Sequence, residues 1–237
     1  MSTHQAEGRK FGNRLLDKLS GEELDALHPH LEPVSLTRAQ YLIVPHEPIL
    51  YAYFPITSLA SLVTVLEDGS TVEAGAVGRE GMVGVPILLD ARTTPMETLV
   101  QIPGEAIRVK AGVIKQVFDS GGTLHDLLNR YIHMLFIGAS QTAACNRRHQ
   151  VELRLARWLL MSSDGVGSDE IALTQEFLAT MLGVRRAGVT QAALYLQESG
   201  LIEYTRGRIR ILDREKLEAA TCECYHMVKE EFECLLG

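Results

Sequence analysis

The sequence predicts an α+β chain: a strand-rich amino-terminal half of β-roll or jelly-roll type, one long connecting helix, and a helical carboxy-terminal region that includes a basic β-hairpin. Three observations carry that expectation. From Val34 to about Val109 the chain is a series of short β-branched and aromatic runs punctuated by Pro and Gly. After Gly121-Gly122 the apolar period lengthens to three or four and stays there through Ala143. Residues 174–210 then join two short amphipathic segments to an alternating, arginine-rich run.

Taken in order, residues 14–31 carry Leu15, Leu16, Leu19, Leu24 and Leu27 at helical spacing, with Ser20 as an internal cap. The strand runs follow as "YLIV", "YAYF", "SLASLVTVL", "TVEAGAV" and "TLVQI". Asp68-Gly69 separates two of them, and Gly accepts the positive φ that a tight hairpin requires. Leu124, Leu127, Leu128, Tyr131, Ile132, Leu135 and Phe136 then mark a helix long enough to leave one domain and reach another. Its apolar stripe suits pairing with a second copy of itself, with Leu124, Leu128, Tyr131 and Leu135 as the expected seam, and the other reading is a helix docked on its own domain's core. The domains expected are residues 1–121, the helix of 122–150, and 151–237.

Composition bounds what such a chain does. A length of 237 residues suffices for two domains with self-sustaining cores. An apolar content of 46% with 22% charged residues is that of a soluble globular protein. The net charge of −7 argues against coating nucleic acid wholesale but leaves room for a local basic site. Four cysteines do not make a disulfide framework at this length, and "MSTHQAEGRK" has no apolar leader core. A cytoplasmic setting without membrane insertion is therefore expected.

In "LTQEFLATMLGVRRAGVTQAAL", Thr174 is placed to cap a helix and Glu176 sits in its first turn, where the dipole favours an acid. Gly183 stops that helix, a second begins near Arg185, and Gly200 suits its left-handed exit. Ala179 is small enough for a close helix crossing, and Val189 fills the corner. Leu178, Leu182, Val184 and Leu194 are expected to complete the interior. A plain structural corner explains all of this packing, but its outer face would then mix charge signs. Here Arg185, Arg186, Thr190 and Gln191 face outward with no acid among residues 183–197, a set of donors suited to phosphates and base edges. "LIEYTRGRIRIL" adds a hairpin carrying Arg206, Arg208 and Arg210. From Gly183 to Arg210 there are five arginines against two acids, in a chain that is otherwise acidic.

With these motifs in hand, the whole chain resembles the Crp/Fnr family of bacterial transcription regulators. "VGREGMVGVP", "NRRHQVELRLARWLLM", "LTQEFLATMLGVRRAGVT" and "GRIRILDREKLE" carry the likeness together. The resemblance implies a cyclic-nucleotide-binding-like β-roll that senses an effector, a dimerising helix, and a winged helix-turn-helix. It also implies a homodimer on a near-palindromic duplex with half-sites about 34–36 Å apart, and RNA polymerase as a partner. On this reading Arg186, Thr190 and Gln191 read bases, while Thr174, Arg185, Arg206 and Arg208 contact phosphates. Gly188, a costly residue inside a helix, leaves room for close approach to DNA. Ala187 stands where well-known members carry Glu, and Gln191 where they carry a second Arg. The operator is thus expected to differ from the family's usual one.

The sensor departs further. Gly78-Arg79-Glu80-Gly81 resembles the first part of the cyclic-nucleotide signature and is the candidate effector site. Arg92-Thr93 comes too early to supply the phosphate clamp, and residues 1–144 contain no cysteine for an iron–sulfur cluster. The effector is therefore unknown, and cAMP is not the expected one; no cofactor is assigned. The rival reading is a jelly-roll metalloenzyme with a helical appendage, prompted by His28, His30 and Glu32, although Pro29 places these in a helix-end loop. His125, His133 and His149 read as solvated or capping imidazoles. Cys222-Glu223-Cys224 with Cys234 reads as ordinary reduced thiols, since residues two apart on a helix face different ways. Neither a metal site nor a catalytic constellation is expected.

Overall fold

A computed structural model of the chain describes residues 10–19, 21–205 and 207–236. The expected caps and contacts of Ser20 and Arg206 lie outside the described residues.

The first helical segment is interrupted where one helix was expected. A 3-10 turn at Leu16–Lys18, helix α1 at Gly21–Leu27 and a second 3-10 turn at His28–His30 replace it. Pro29 explains the second break, since it stiffens the chain and removes a donor. The leucine pattern still decides which side turns inward: Leu15, Leu16, Leu19 and Leu27 are buried. Asn13 anchors the segment, its amide donating to the carbonyls of Pro55 and Gly81 at 2.9 Å each.

Seven strands follow. They are β1 (Glu32–Leu36), β2 (Tyr41–Ile43), β3 (Tyr51–Pro55), β4 (Leu59–Val65), β5 (Thr71–Val77), β6 (Glu97–Ile102) and β7 (Gly104–Lys110). They form two antiparallel sheets ordered β1-β7-β3 and β2-β6-β4-β5. Both sheets contribute to one core, in which Phe54, Ala60, Val77, Val100, Ala106 and Val109 are among the buried residues. The Asp68-Gly69 hairpin joins β4 to β5, with Gly69 at φ +78° and the Asp68 carboxylate accepting from the Ser70 amide at 2.9 Å. Strands β1 and β7 and helix α2 (Ala111–Asp119) were not resolved as separate elements from the sequence pattern.

Helix α3 (Thr123–Arg148) crosses the molecule. Here one expectation is corrected. Leu124, Leu128 and Tyr131 are buried in the chain's own amino-terminal core and cannot form a seam with another copy, and Leu135 is partly buried against the same core. The strongest apolar stripe of α3 is thus spent on the amino-terminal core. Its exposed side instead carries Phe136, 70% accessible, followed by Ala139, Ala143 and Ala144.

Helix α4 (Val151–Val166) begins the carboxy-terminal region. After it come β8 (Glu170–Ala172), α5 (Gln175–Leu182), α6 (Arg186–Glu198), β9 (Ile202–Thr205), β10 (Arg208–Ile211), α7 (Arg214–Ala219) and α8 (Glu223–Leu236). The three strands form a small antiparallel sheet ordered β8-β10-β9. Leu59 of β4 and Ile102 of β6 share a core with Leu155, Leu159 and Leu160 of α4, so the two halves are packed together. The contact is close at one point: a Cβ built on Gly78 would lie 2.4 Å from the Gly165 backbone, and the Arg79 amide donates to the Gly165 carbonyl at 2.8 Å. Helix α8 then returns along α3, burying Leu236 in the amino-terminal core and pairing Glu233 with Arg14 at 3.0 Å. Among the described residues no helix is long and apolar enough to cross a membrane.

Candidate nucleic-acid interface and sensor cavity

Helices α5 and α6 meet at the geometry their residues dictate. Thr174 adopts extended backbone and its hydroxyl oxygen accepts from the Phe177 amide at 3.3 Å, capping α5. Gly183 ends that helix at φ +60°, a left-handed conformation that costs any residue with a Cβ. Ala179 and Val189 are buried at the crossing. Leu194 corrects the expected interior: it is 49% exposed, because α6 turns Ala192, Ala193 and Leu196 inward instead.

Arg185 is the extended residue before α6, and Arg186 is its first helical residue. Both are exposed, as are Ala187 and Gln191, and neither arginine makes an ion pair among the described residues. The amino end of α6 thus combines two guanidinium groups, neither held by an acid among the described residues, with the positive end of a helix dipole, an arrangement that attracts anions. Thr190 is half-buried, with its hydroxyl 3.0 Å from the Gln175 side-chain oxygen and 3.1 Å from the Arg186 carbonyl. Gly188 has nothing within 4 Å of an added Cβ, so no packing inside the chain accounts for it. The hairpin β9–β10 pairs Thr205 with Arg208 across its turn, and its outward residues include Arg208 and Arg210. Arg208 meets Glu170 at 3.0 Å in an exposed pair, which contributes little and is readily exchanged for a phosphate.

The candidate effector motif divides. Gly78 and Gly81 serve close packing, the first against Gly165 and the second against Tyr131, whose hydroxyl would lie 2.2 Å from an added Cβ. Arg79 and Glu80 line a cavity of about 510 Å³ between β5, α3, α4 and α8. Its walls are largely apolar, with Met96, Met134, Met161 and Phe232, and burial raises the Glu80 carboxyl above its ordinary range. Arg92 is exposed outside this cavity, so no phosphate clamp is assembled from it.

Beside the cavity, a buried acid ties the halves together. Glu73 of β5 accepts from the Trp158 indole of α4 at 3.0 Å and lies 2.6 Å from the Ser61 hydroxyl. Burial pushes its carboxyl up to about 7. Ser61 also lies 2.8 Å from the Gln101 side-chain amide, whose nitrogen is buried without a hydrogen-bond partner among the described residues. Sequence inspection did not single out Glu73, since a lone Glu in a strand carries no signal of burial.

The weaker motifs also find their places. His28 and His30 lie in the 3-10 turn and Glu32 pairs with Arg108 at 2.9 Å, so these three do not converge on a metal. His125 hydrogen-bonds the Phe118 carbonyl at 3.0 Å, and His133 is exposed. His149 is not solvated; it sits beside the buried Cys145, Cys222 and Cys224, while Cys234 is exposed elsewhere. Cys222 precedes α8 rather than lying in it, which removes the helical-spacing objection to Cys222 and Cys224 facing together.

An amino-terminal antiparallel roll, a long helix and a winged helix-turn-helix are the parts of a fold that known transcription regulators share. Residues 153–220 match the Crp-like helix-turn-helix domain family, and the chain as a whole has the Crp/Fnr regulator fold. A Crp/Fnr-family transcriptional regulator from Eubacterium rectale is similar at 16% identity with a TM-score of 0.65, covering 90% of this chain and 97% of that one. FixK2 from Bradyrhizobium japonicum is similar at 16% identity and TM-score 0.68, covering 81% and 98%. A CRP/FNR-family regulator from Thermus thermophilus gives 20% identity and TM-score 0.61, covering 82% and 98%. No curated protein matches the chain. Helix α8 starts beyond the matched domain.

Proposed function

We propose that this chain is a homodimeric, sequence-specific DNA-binding regulator whose operator is near-palindromic and whose activity follows a small effector held between its two halves. One observation carries the reading. Arg185, Arg186 and Gln191 are exposed at the start of α6, the two arginines make no ion pair among the described residues, and residues 183–197 hold no acid. Unpaired guanidinium groups at a helix amino end are costly to concentrate in an acidic chain unless an anion meets them.

On this reading α6 enters the major groove. Arg186 suits a guanine edge, Gln191 an adenine edge, and Thr190 either. Thr174, Arg185, Arg206 and Arg208 contact phosphates, and Gly188 admits the backbone to close range. The two copies pair through the exposed Phe136–Ala144 side of α3, which places both recognition helices on one face of the duplex. The largely apolar cavity beside Arg79 and Glu80 takes a small ligand that contacts sheet, α3, α4 and α8 together, so its binding shifts their relative placement.

Selection from a random duplex pool followed by titration of the chosen site tests the proposal. A defined site is expected, with affinity that falls as salt rises. Failure to enrich any sequence, or salt-insensitive binding, overturns it.

A further inference from the structure

We infer that Cys145, His149, Cys222 and Cys224 form a closed binding site for one zinc-class divalent ion that staples the end of α3 to the start of α8. The four ligand atoms all lie within 4.8 Å of one another. The Cys145 and Cys222 sulfurs are 3.7 Å apart, and the Cys224 sulfur is 3.5 Å from His149 Nδ1. A tetrahedral ion with Zn–S near ~2.3 Å and Zn–N near ~2.05 Å sets such edges at about 3.8 and about 3.6 Å. These two separations match the edges of such a tetrahedron and the remaining ones lie within 4.8 Å, whereas a disulfide would require the sulfurs to approach to about 2.05 Å.

Local structure explains the convergence. Cys145 and His149 are four apart at the end of α3, on one helix face. Cys222 is outside α8 and Cys224 in its first turn, so the intervening chain curls both sulfurs to one side. All three cysteines are buried. The surroundings are those of a metal site. The remaining His149 nitrogen, Nε2, faces the Glu223 carboxylate at 3.4 Å, which orients the ring and leaves Nδ1 for the ion. The Gln141 side-chain amide donates to the Cys224 sulfur at 3.0 Å. Buried Arg157 packs beside the cluster, donating to Thr142 at 3.1 Å with its Nε left without a partner, so a cation stands ready to balance three thiolates around a dication.

Three thiolates and an imidazole favour zinc over magnesium or calcium, which prefer oxygen ligands. Four protein ligands leave no open coordination position, so the ion is structural. Its position gives it leverage. Arg154 bonds Asn146 in the last turn of α3 at 3.1 Å and also donates to the carbonyl of Leu182, the last residue of α5. An ion that fixes the α3 exit thereby fixes the frame of the helix-turn-helix.

The test uses the full chain, reduced and stripped of metal, titrated with Zn2+ against a chromophoric chelator and with Co2+ by visible spectroscopy. One equivalent per chain is expected, with the intense bands of tetrahedral thiolate-bound cobalt. Cys224→Ser and His149→Gln should each abolish stoichiometric uptake, while Cys234→Ser should leave it unchanged. Glu223→Gln should weaken uptake about 10–100-fold while preserving the cobalt spectrum. Absence of uptake by fully reduced, folded chain overturns the inference. So does a six-coordinate cobalt spectrum, or unchanged uptake in Cys224→Ser. An isolated chain that carries a Cys145–Cys222 disulfide and takes up no metal after reduction also overturns it. No readout involves DNA, so the DNA-binding proposal and the metal site stand or fall separately.

Discussion

The start of α6 and the hinge between α3 and α8 are two clusters of chemically capable side chains built on opposite principles. At α6, Arg185 and Arg186 are exposed, cationic and adjacent in sequence, and make no ion pair among the described residues. At the hinge the groups are buried and drawn from segments 77 residues apart, and their partners are one another. An exposed local site is tuned to what it meets. A buried distant one is tuned to how the molecule holds itself together.

The largest effect that would sharpen this contrast is expected on the buried side, in response to pH. The folded chain raises the Glu73 carboxyl from 4.5 to about 7, so it holds that proton more tightly than the unfolded chain does. The resulting stabilisation is complete below the unfolded value and is lost as pH rises through about 7. It amounts to about 3 kcal/mol at most. Thermal unfolding followed from roughly pH 5 to roughly pH 8 should show Tm falling for the wild type, and Glu73→Gln should flatten the profile. An unchanged slope in that variant would remove Glu73 from the junction between the halves.

Next comes the close contact of the two halves. Gly78→Ala places a methyl group 2.4 Å from the Gly165 backbone, where neither chain can yield cheaply. A loss of about 1–3 kcal/mol is expected in denaturant unfolding. A neutral result would mean that the halves separate readily and that the interface does not transmit anything.

On the exposed side, Arg186→Ala should leave unfolding unchanged and cost about 1–3 kcal/mol on the selected DNA site, with relaxed specificity. Equal losses on unrelated duplexes would move Arg186 from base reading to phosphate contact. Arg185→Ala should weaken all duplexes alike and reduce the salt slope by about 1. The smallest effect is expected at Gly188, where an added methyl group meets open space. Gly188→Ala should stabilise the fold by up to about 1 kcal/mol through helix propensity. A fall in DNA affinity in the same variant supports close approach, and unchanged affinity removes that role.

Legibility followed the same division. The helix-turn-helix was readable because each requirement is local: a capping Thr174, a left-handed Gly183, small Ala179 opposite Val189, and alternation in β9 and β10. The strand runs and the Asp68-Gly69 hairpin were readable for the same reason. Periodicity identified α3 but not its partner. An apolar stripe reads alike whether it meets a second copy or its own sheets, and Leu124, Leu128 and Tyr131 meet the sheets. Leu194 was assigned inward by type, yet the angle of α6 leaves it outward. Cys222 and Cys224 looked divergent only on the assumption of a helix that already contains Cys222, whereas α8 begins at Glu223.

By itself, then, the sequence determined the fold class, the strand runs from β2 to β6 and the cap and turn of α5 and α6, because propensities, caps and turns act over a few neighbouring residues. Only the tertiary structure decided which side of α3 is free, that Glu73 is buried under Trp158, and that α8 returns to complete a four-ligand cluster with the end of α3. Those outcomes depend on how preformed elements share a limited amount of buried surface, a competition among distant segments that no local pattern records.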